Sequence, residues 1–386
     1  MDLKNLIEKY YQEASDLRDS IHREPELAFE EVKTSAKVRA FLDKHGIPYQ
    51  YPIAKTGILA EVKGKLPGKT ILLRADMDAL PMQENKEAYN ASTIENKMHA
   101  CGHDGHTAGL CLSAAIINDL KDELHGTIKF MFQPAEEAIG GAKPMIDEGV
   151  LKGVDMAFGA HLQGEMAEGK VGLKVGPMMA SPDTFRIKVI GKGGHGSKPN
   201  ISIDPVVAAA NIIMSLQTVV SRLNDALEPL VVTIGSIHGG SAPNIIPDEV
   251  EMIGTVRTLN NELRAKVPGD IEEVAKHAAA VLGARAEVSF EMAYPVCIND
   301  KIATEIAKEA CLEFMDEENV VELAKPSMGG EDFAYITQNV PASFMYVGIM
   351  KDKPISHHHC DFNFDNKNLK LLSEVLVRSS LKALKR

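Results

Sequence analysis

Along the chain, short runs of β-branched and aromatic residues alternate with stretches whose apolar residues recur at helical spacing. The runs 69–74, 127–132, 156–160 and 343–348 have the length and composition of buried strands. Between them, residues 107–120 repeat Ala, Leu and Ile at core spacing, and another helix is expected after Pro134, a residue suited to a first helical turn. This alternation predicts an α/β domain with a mostly parallel sheet and helices on both faces. From about Pro182 the rhythm changes to strand (185–190), helix (204–222), two strands (230–237 and 249–258), helix (262–282) and strand (286–291). The β-α-β-β-α-β order predicts a ferredoxin-like domain over 182–293, inserted into a first domain made of 1–181 and 294–386. A helix over 367–384 closes the first domain.

Composition narrows the function classes. The 386 residues are 45% hydrophobic and 25% charged, enough for large buried cores. With a formal charge of −12 and no long Lys/Arg cluster, the chain would repel a phosphate backbone, so nucleic acid is not an expected partner. The first 23 residues lack the layout of a secretory signal, and no apolar run is read as a membrane span. Five widely spaced cysteines fit a reducing compartment, and the cytoplasm is the expected location.

Candidate chemistry gathers where the strands of the first domain end, the edge at which open α/β sheets place their sites. The first strand leads to Asp76 and Asp78, with the loop His99-Ala100-Cys101-Gly102-His103-Asp104-Gly105-His106 shortly after it. Glu136 and Glu137 follow the second strand, His161 the third, and His357, His358 and His359 the last. Thiolate, imidazole and carboxylate together suit zinc, manganese, cobalt or nickel rather than magnesium or calcium. Ligands from four strand ends exceed the needs of one open catalytic ion, so two divalent ions are expected, with Cys101 sulfur as the bridge. Adjacent Glu136 and Glu137 diverge at a strand-to-helix turn, so one can bind metal while the other moves the proton that amide hydrolysis requires. Asp76 and Asp78 are read as carboxylates that orient ligands.

Blander readings compete. Cys101 could belong to a structural zinc knuckle, although such sites show paired Cys-x-x-Cys ligands, or it could be a nucleophile with a histidine base. The glutamate pair could be a solvated helix start, and the histidine run partly a polar loop. Arg257 projects from its strand opposite the face of Val250, Met252, Gly254 and Val256, where an ordinary surface ion pair is the commoner fate.

The motifs Arg-Ala-Asp-Met-Asp-Ala-Leu-Pro-Met (74–82), Met-His-Ala-Cys-Gly-His-Asp-Gly-His (98–106) and Phe-Gln-Pro-Ala-Glu-Glu (132–137) resemble the aminoacylase and carboxypeptidase family of dinuclear metallohydrolases. The branch is that of hippurate hydrolases, plant auxin-conjugate hydrolases and an archaeal carboxypeptidase. Further matches at 159–162, 191–199, 242–247, 254–257 and 329–333 extend the resemblance over nearly the whole chain. It implies Cys101, His103, Glu137, His161 and a C-terminal histidine as metal ligands, with Glu136 as general base and acid. The family shows His-x-Pro before an aromatic residue, and Cys360 stands here in place of the proline. Counting back from Phe362 gives His358, with His357 and His359 as alternatives. The resemblance also implies an inserted domain that acts as lid and dimerisation surface, in a homodimer or homotetramer. His195 would reach the substrate carbonyl oxygen, and Asn244 with Arg257 would clamp the substrate carboxylate, for which a guanidinium is suited. The implied reaction is metal-dependent hydrolysis of the amide bond of N-acyl amino acids or short peptides, through a metal-bridging hydroxide. A metallocarboxypeptidase, a cysteine hydrolase and a non-catalytic conjugate-binding protein are the alternatives.

Overall fold

The apolar runs of the first domain become the inner strands of an eight-stranded sheet in a computed structural model describing residues 3–138 and 140–386. In spatial order the strands are Tyr49–Ile53, Gly57–Lys63, His125–Gln133, Leu66–Asp76, Met156–Ala167, Ala342–Met350, Val171–Leu173 and Val320–Glu322. The four inner strands from His125–Gln133 to Ala342–Met350 run parallel, so their carboxyl ends share one edge. The sheet as a whole is mixed rather than mostly parallel. Tyr49–Ile53 and Gly57–Lys63 form an antiparallel hairpin beside His125–Gln133, and Val171–Leu173 runs antiparallel to Ala342–Met350. These strands escape a reading by periodicity: the first carries a proline and two exposed residues, and Val171–Leu173 is three residues long.

Side chains pack this sheet against flanking helices. Phe130, Phe132, Phe158 and Phe344 have no exposed surface, and each contributes about 1.5–3 kcal/mol by burial. The helix His103–Asp119 is buried from His103 to Ile117, the mark of a helix enclosed on all sides. It packs against Leu3–Arg23 and Asn368–Lys385, helices far apart in the chain. The helix expected at Pro134 is not there: a turn intervenes, and the next helix is Ala142–Asp147.

The first compact unit comprises the chain through Met178, Ile298–Lys325 and Asp332–Arg386. The second comprises Met179–Cys297 and the short segment Pro326–Glu331, against the expected 182–293. Its strands lie in the order Leu230–Gly239, Glu249–Thr258, Ser181–Ile190, Arg285–Glu291, all antiparallel. Two helices, Pro205–Thr218 and Asn261–Ala280, pack on this sheet and on each other. Asp204 and Asn260 cap them by accepting backbone N–H bonds, and Pro205 opens the first. Residues 205–223 have the length and apolar composition of a membrane span, which corrects the reading that no such run exists. Here Ala208, Ala209, Ile212, Leu216 and Val219 bury one side of that segment in the core of the second unit.

Candidate active site

The loop that opens the helix His103–Asp119, the turn after His125–Gln133, the strand Met156–Ala167 and the segment after Ala342–Met350 bring their side chains to one place. Gly102, in a left-handed conformation with φ 89°, turns the chain so that Cys101 precedes and His103 opens the helix. Gly105 allows the helix to approach the C-terminal segment: a Cβ there would stand 2.4 Å from the Phe364 ring. His161 lies within its strand rather than at its end, opposite Tyr346.

Potential ligand atoms of Cys101, His103 and His161 lie within 4.8 Å of one another, as do those of Cys101, Glu137 and His358. Cys101 belongs to both trios, as a bridging ligand would. Glu136 is drawn in as well, within 4.8 Å of ligand atoms of His103 and Glu137. His161 donates from Nδ1 to the Leu162 carbonyl at 2.7 Å, which turns the Nε2 lone pair toward Cys101 Sγ, 3.4 Å away. His103 Nδ1 lies 3.2 Å from Asp78 Oδ1, while its buried Nε2 has no hydrogen-bond partner. An imidazole held by a carboxylate on one nitrogen and left bare on the other is the usual dress of a metal ligand.

Of the histidine run, His358 alone reaches Glu137, at 3.0 Å, from a left-handed backbone with φ 56°. His357 donates from Nε2 to the Leu162 carbonyl at 2.9 Å, and His359 is exposed beside Cys360 and Asp361. His106 is also spoken for. The Leu162 N–H donates to its Nε2 at 2.9 Å, so its Nδ1 carries the proton donated to Asp76 at 2.6 Å.

The charges fit cations. Burial pushes the Cys101 thiol well up, and Glu137, Glu136 and Asp76 push it further. Burial disfavours a charged His103, yet Asp76, Asp78 and Glu137 overturn that and raise its pKa to about 10. Protons are thus held at Cys101 by burial first and by nearby carboxylates second, and at His103 by carboxylates, and divalent cations would take their place there. Sulfur, imidazole and carboxylate donors suit transition metals.

In the second unit, His195 and Asn244 sit on neighbouring loops: Gly194–His195 pairs with Ile245–Ile246, and Gly196 N–H donates to the Asn244 carbonyl at 2.8 Å. Ser197 N–H donates to His195 Nδ1 at 3.1 Å, which puts the ring proton on exposed Nε2. Arg257 is half-buried, on the face opposite buried Val250, Met252 and Val256, and among the described residues no carboxylate lies within ion-pair distance of it.

Two supports had not been read from the sequence. Arg74, fully buried, donates to Asp76 at 2.8 Å, Asp332 at 2.7 Å and Gln133 at 2.8 Å, fixing the carboxylate that holds His106. Glu31, also buried, binds the backbone just before the glutamate pair. Buried charges so far apart in sequence leave no periodic signal.

Residues 72–382 match the model of peptidase family M20/M25/M40. An N-acetylcysteine deacetylase of Bacillus subtilis is 42% identical over 360 residues, covering 93% of each chain. Thermostable carboxypeptidase 2 of Saccharolobus solfataricus is 38% identical over 376 residues, 96% of this chain and 95% of that one. The crystal structure of a dinuclear metal-binding peptidase of the M20 family from Bacillus subtilis superimposes with a TM-score of 0.86 at 37% identity, covering 98% of this chain and 99% of that one. A family match across most of the chain, and a donor cluster suited to two metal ions, agree: this chain belongs to peptidase family M20/M25/M40.

Proposed function

We propose that this metal-dependent amidohydrolase cleaves N-acyl amino acids to an acid and a free amino acid. The observation that carries the reading is Cys101 shared between two ligand trios, with Glu136 beside them. His103 and His161 would hold one ion, Glu137 and His358 the other, and Cys101 both. A bound pair of zinc, manganese, cobalt or nickel ions supplies Lewis-acid polarisation of the scissile carbonyl and lowers the pKa of water at the site. Glu136 accepts the proton of the attacking water on its carboxylate and delivers it to the departing amine nitrogen. Asp78 steadies two ligands at once, bonding His103 Nδ1 at 3.2 Å and accepting from the Glu137 N–H at 2.9 Å.

The second unit serves as a ferredoxin-like lid, supported by its strand order, and as the surface of a homodimer or homotetramer. Its His195 presents Nε2–H as a donor to the developing oxyanion, supported by the bond from Ser197 N–H to Nδ1. Arg257 and Asn244 hold the carboxylate of the substrate, supported by the lack of an ion-pair partner for Arg257 among the described residues. The same clamp favours a second reading, a carboxypeptidase acting on dipeptides or N-blocked peptides, the activity named for the archaeal relative. The raised Cys101 pKa opposes a cysteine nucleophile, which needs its thiolate. The free state of all five cysteines is in keeping with the cytoplasm.

A hydrolysis screen tests this reading: N-acetyl and N-benzoyl amino acids against unblocked dipeptides, with added zinc, manganese, cobalt or nickel. N-acyl substrates should turn over fastest and chelation should abolish the activity. Full activity in metal-free protein, or metal binding without turnover of any substrate, contradicts it.

A further inference from the structure

Left-handed backbone at a residue with a side chain costs about 1–2 kcal/mol and persists where the surroundings enforce it. Among the described residues it occurs at Phe29, Ala54, Lys55, Asn96, Ala135 and His358. Two of the six, Phe29 and Ala135, bond one side chain, Glu31, and two more, Ala54 and Lys55, lead into a third residue that bonds it. Its Oε1 accepts the N–H of Phe29 at 3.0 Å and the N–H of Ala135 at 2.9 Å. Its Oε2 accepts the hydroxyl of Thr56 at 2.6 Å, the residue that follows Ala54 and Lys55. The Thr56 carbonyl in turn accepts the Ser35 hydroxyl, which ties this knot to the helix Val32–Lys44.

Ala135 is the strained residue that matters for chemistry. With φ 57° it ends the path of the strand His125–Gln133 and is followed at once by Glu136 and Glu137. Its carbonyl accepts the Gly140 N–H at 3.1 Å, so both of its backbone groups are fixed. If Ala135 relaxed to the right-handed or extended region, both glutamates would swing away from His103.

We propose that Glu31 is a positioning residue for the catalytic pair, its carboxylate holding Ala135 left-handed so that Glu136 and Glu137 meet the metal ligands in working geometry. The inference rests on the roles given above to Glu136 and Glu137. Glu31 touches no reacting atom; it acts through the backbone. Misplacement of a reacting group by about 1 Å from a remote change costs about 100-fold in rate, which sets the expected size of the effect.

The test compares Glu31→Ala, Glu31→Gln and Glu136→Ala as metal-loaded enzymes, measuring kcat, KM, bound metal and Tm. An amide oxygen can still accept from Phe29 and Ala135, and the Thr56 hydroxyl can turn to accept from the amide NH2. Glu31→Gln should therefore stay near the wild-type kcat, while Glu31→Ala loses about 100-fold in kcat with metal content kept and KM little moved. Glu31→Leu, which fills the space without an acceptor, replaces Glu31→Ala if that variant does not fold. Near wild-type kcat in Glu31→Ala, with Glu136→Ala inactive, overturns the positioning role alone. An active Glu136→Ala overturns the mechanism beneath it. Loss of metal or of folded protein in both acceptor-free variants assigns Glu31 to the fold and overturns the proposal as well.

Discussion

Two buried clusters built from the same residue types meet at the first turn of the helix His103–Asp119, and they differ in what balances their charge. In one, Arg18 donates to Asp104 at 2.8 Å, to the Phe364 carbonyl at 2.7 Å and to Asn363 at 2.7 Å, and stacks 3.7 Å from the centre of the Phe364 ring. His22 lies between two carboxylates, Asp104 at 2.9 Å and Glu84 at 3.0 Å. The protein supplies its own cations there, and the cluster ties the N-terminal helix, the metal-binding loop and the C-terminal segment together. In the other, Glu137 and Asp78 lie around His103, whose buried Nε2 has no hydrogen-bond partner, and Cys101 and Glu136 lie beside them. The contrast teaches that acid and imidazole residues do not by themselves make a metal site; donor atoms that converge with a ligand nitrogen left bare do.

The largest effect that separates the clusters should come from Glu136→Gln. Activity on N-acyl amino acids should fall by about 10²–10⁴ while both metal ions stay bound, checked by turnover and metal analysis on one preparation. Arg18→Met should do the reverse, leaving the ligands in place but taking the buried guanidinium from Asp104, the Phe364 carbonyl and Asn363. Urea unfolding of the metal-loaded variant should show a loss of about 3–5 kcal/mol, and a loss under about 1 kcal/mol would mean the balanced cluster is not structural.

The pH dependence of stability should also follow the balanced cluster. Burial disfavours the charged form of His22, but Asp104 and Glu84 overcome it and raise the pKa to about 9. A raised folded-state pKa gives stability that is complete below the unfolded value of about 6.5 and lost as pH rises through about 9. The wild type should therefore lose up to roughly 3 kcal/mol between pH 6 and pH 10 through this residue, and His22→Gln should lose correspondingly less over the same range. Equal slopes for both proteins would remove His22 from the account. The smallest effect is expected at exposed His359, where alanine should change stability by less than about 0.5 kcal/mol and leave two ions bound. His358→Ala should release one of them.

Much of the site was legible because its residues sit where a buried strand hands over to a loop. Hydrophobic runs locate such points, and the chemistry at each run's end was visible in the order of residues. The parallel strands, the long helices and the approach of the Cys101 loop, the glutamate pair, His161 and the histidine run to one another follow from that, while the choice of Glu137 and His358 within their runs came from the family resemblance. What stayed hidden depends on backbone angles and on partners far away in the chain. Pro134 read as a helix start because a left-handed Ala135 leaves no mark in a sequence. His99, His103 and His106 look alike within one motif, yet burial lowers His99 to about 3 and lowers His106, while three carboxylates raise His103 to about 10. Only the fold assigns those neighbours. The same holds for Arg18, Glu31 and Arg74, each bonded to residues dozens or hundreds of positions away.

The central claim is met most directly by a crystal structure of the protein loaded with manganese, its ions located by anomalous scattering. Two ions should appear, both touching Cys101 Sγ, one also bound by His103 and His161 and the other by Glu137 and His358. A single ion, or ions that bind elsewhere and leave Cys101 untouched, would contradict the account.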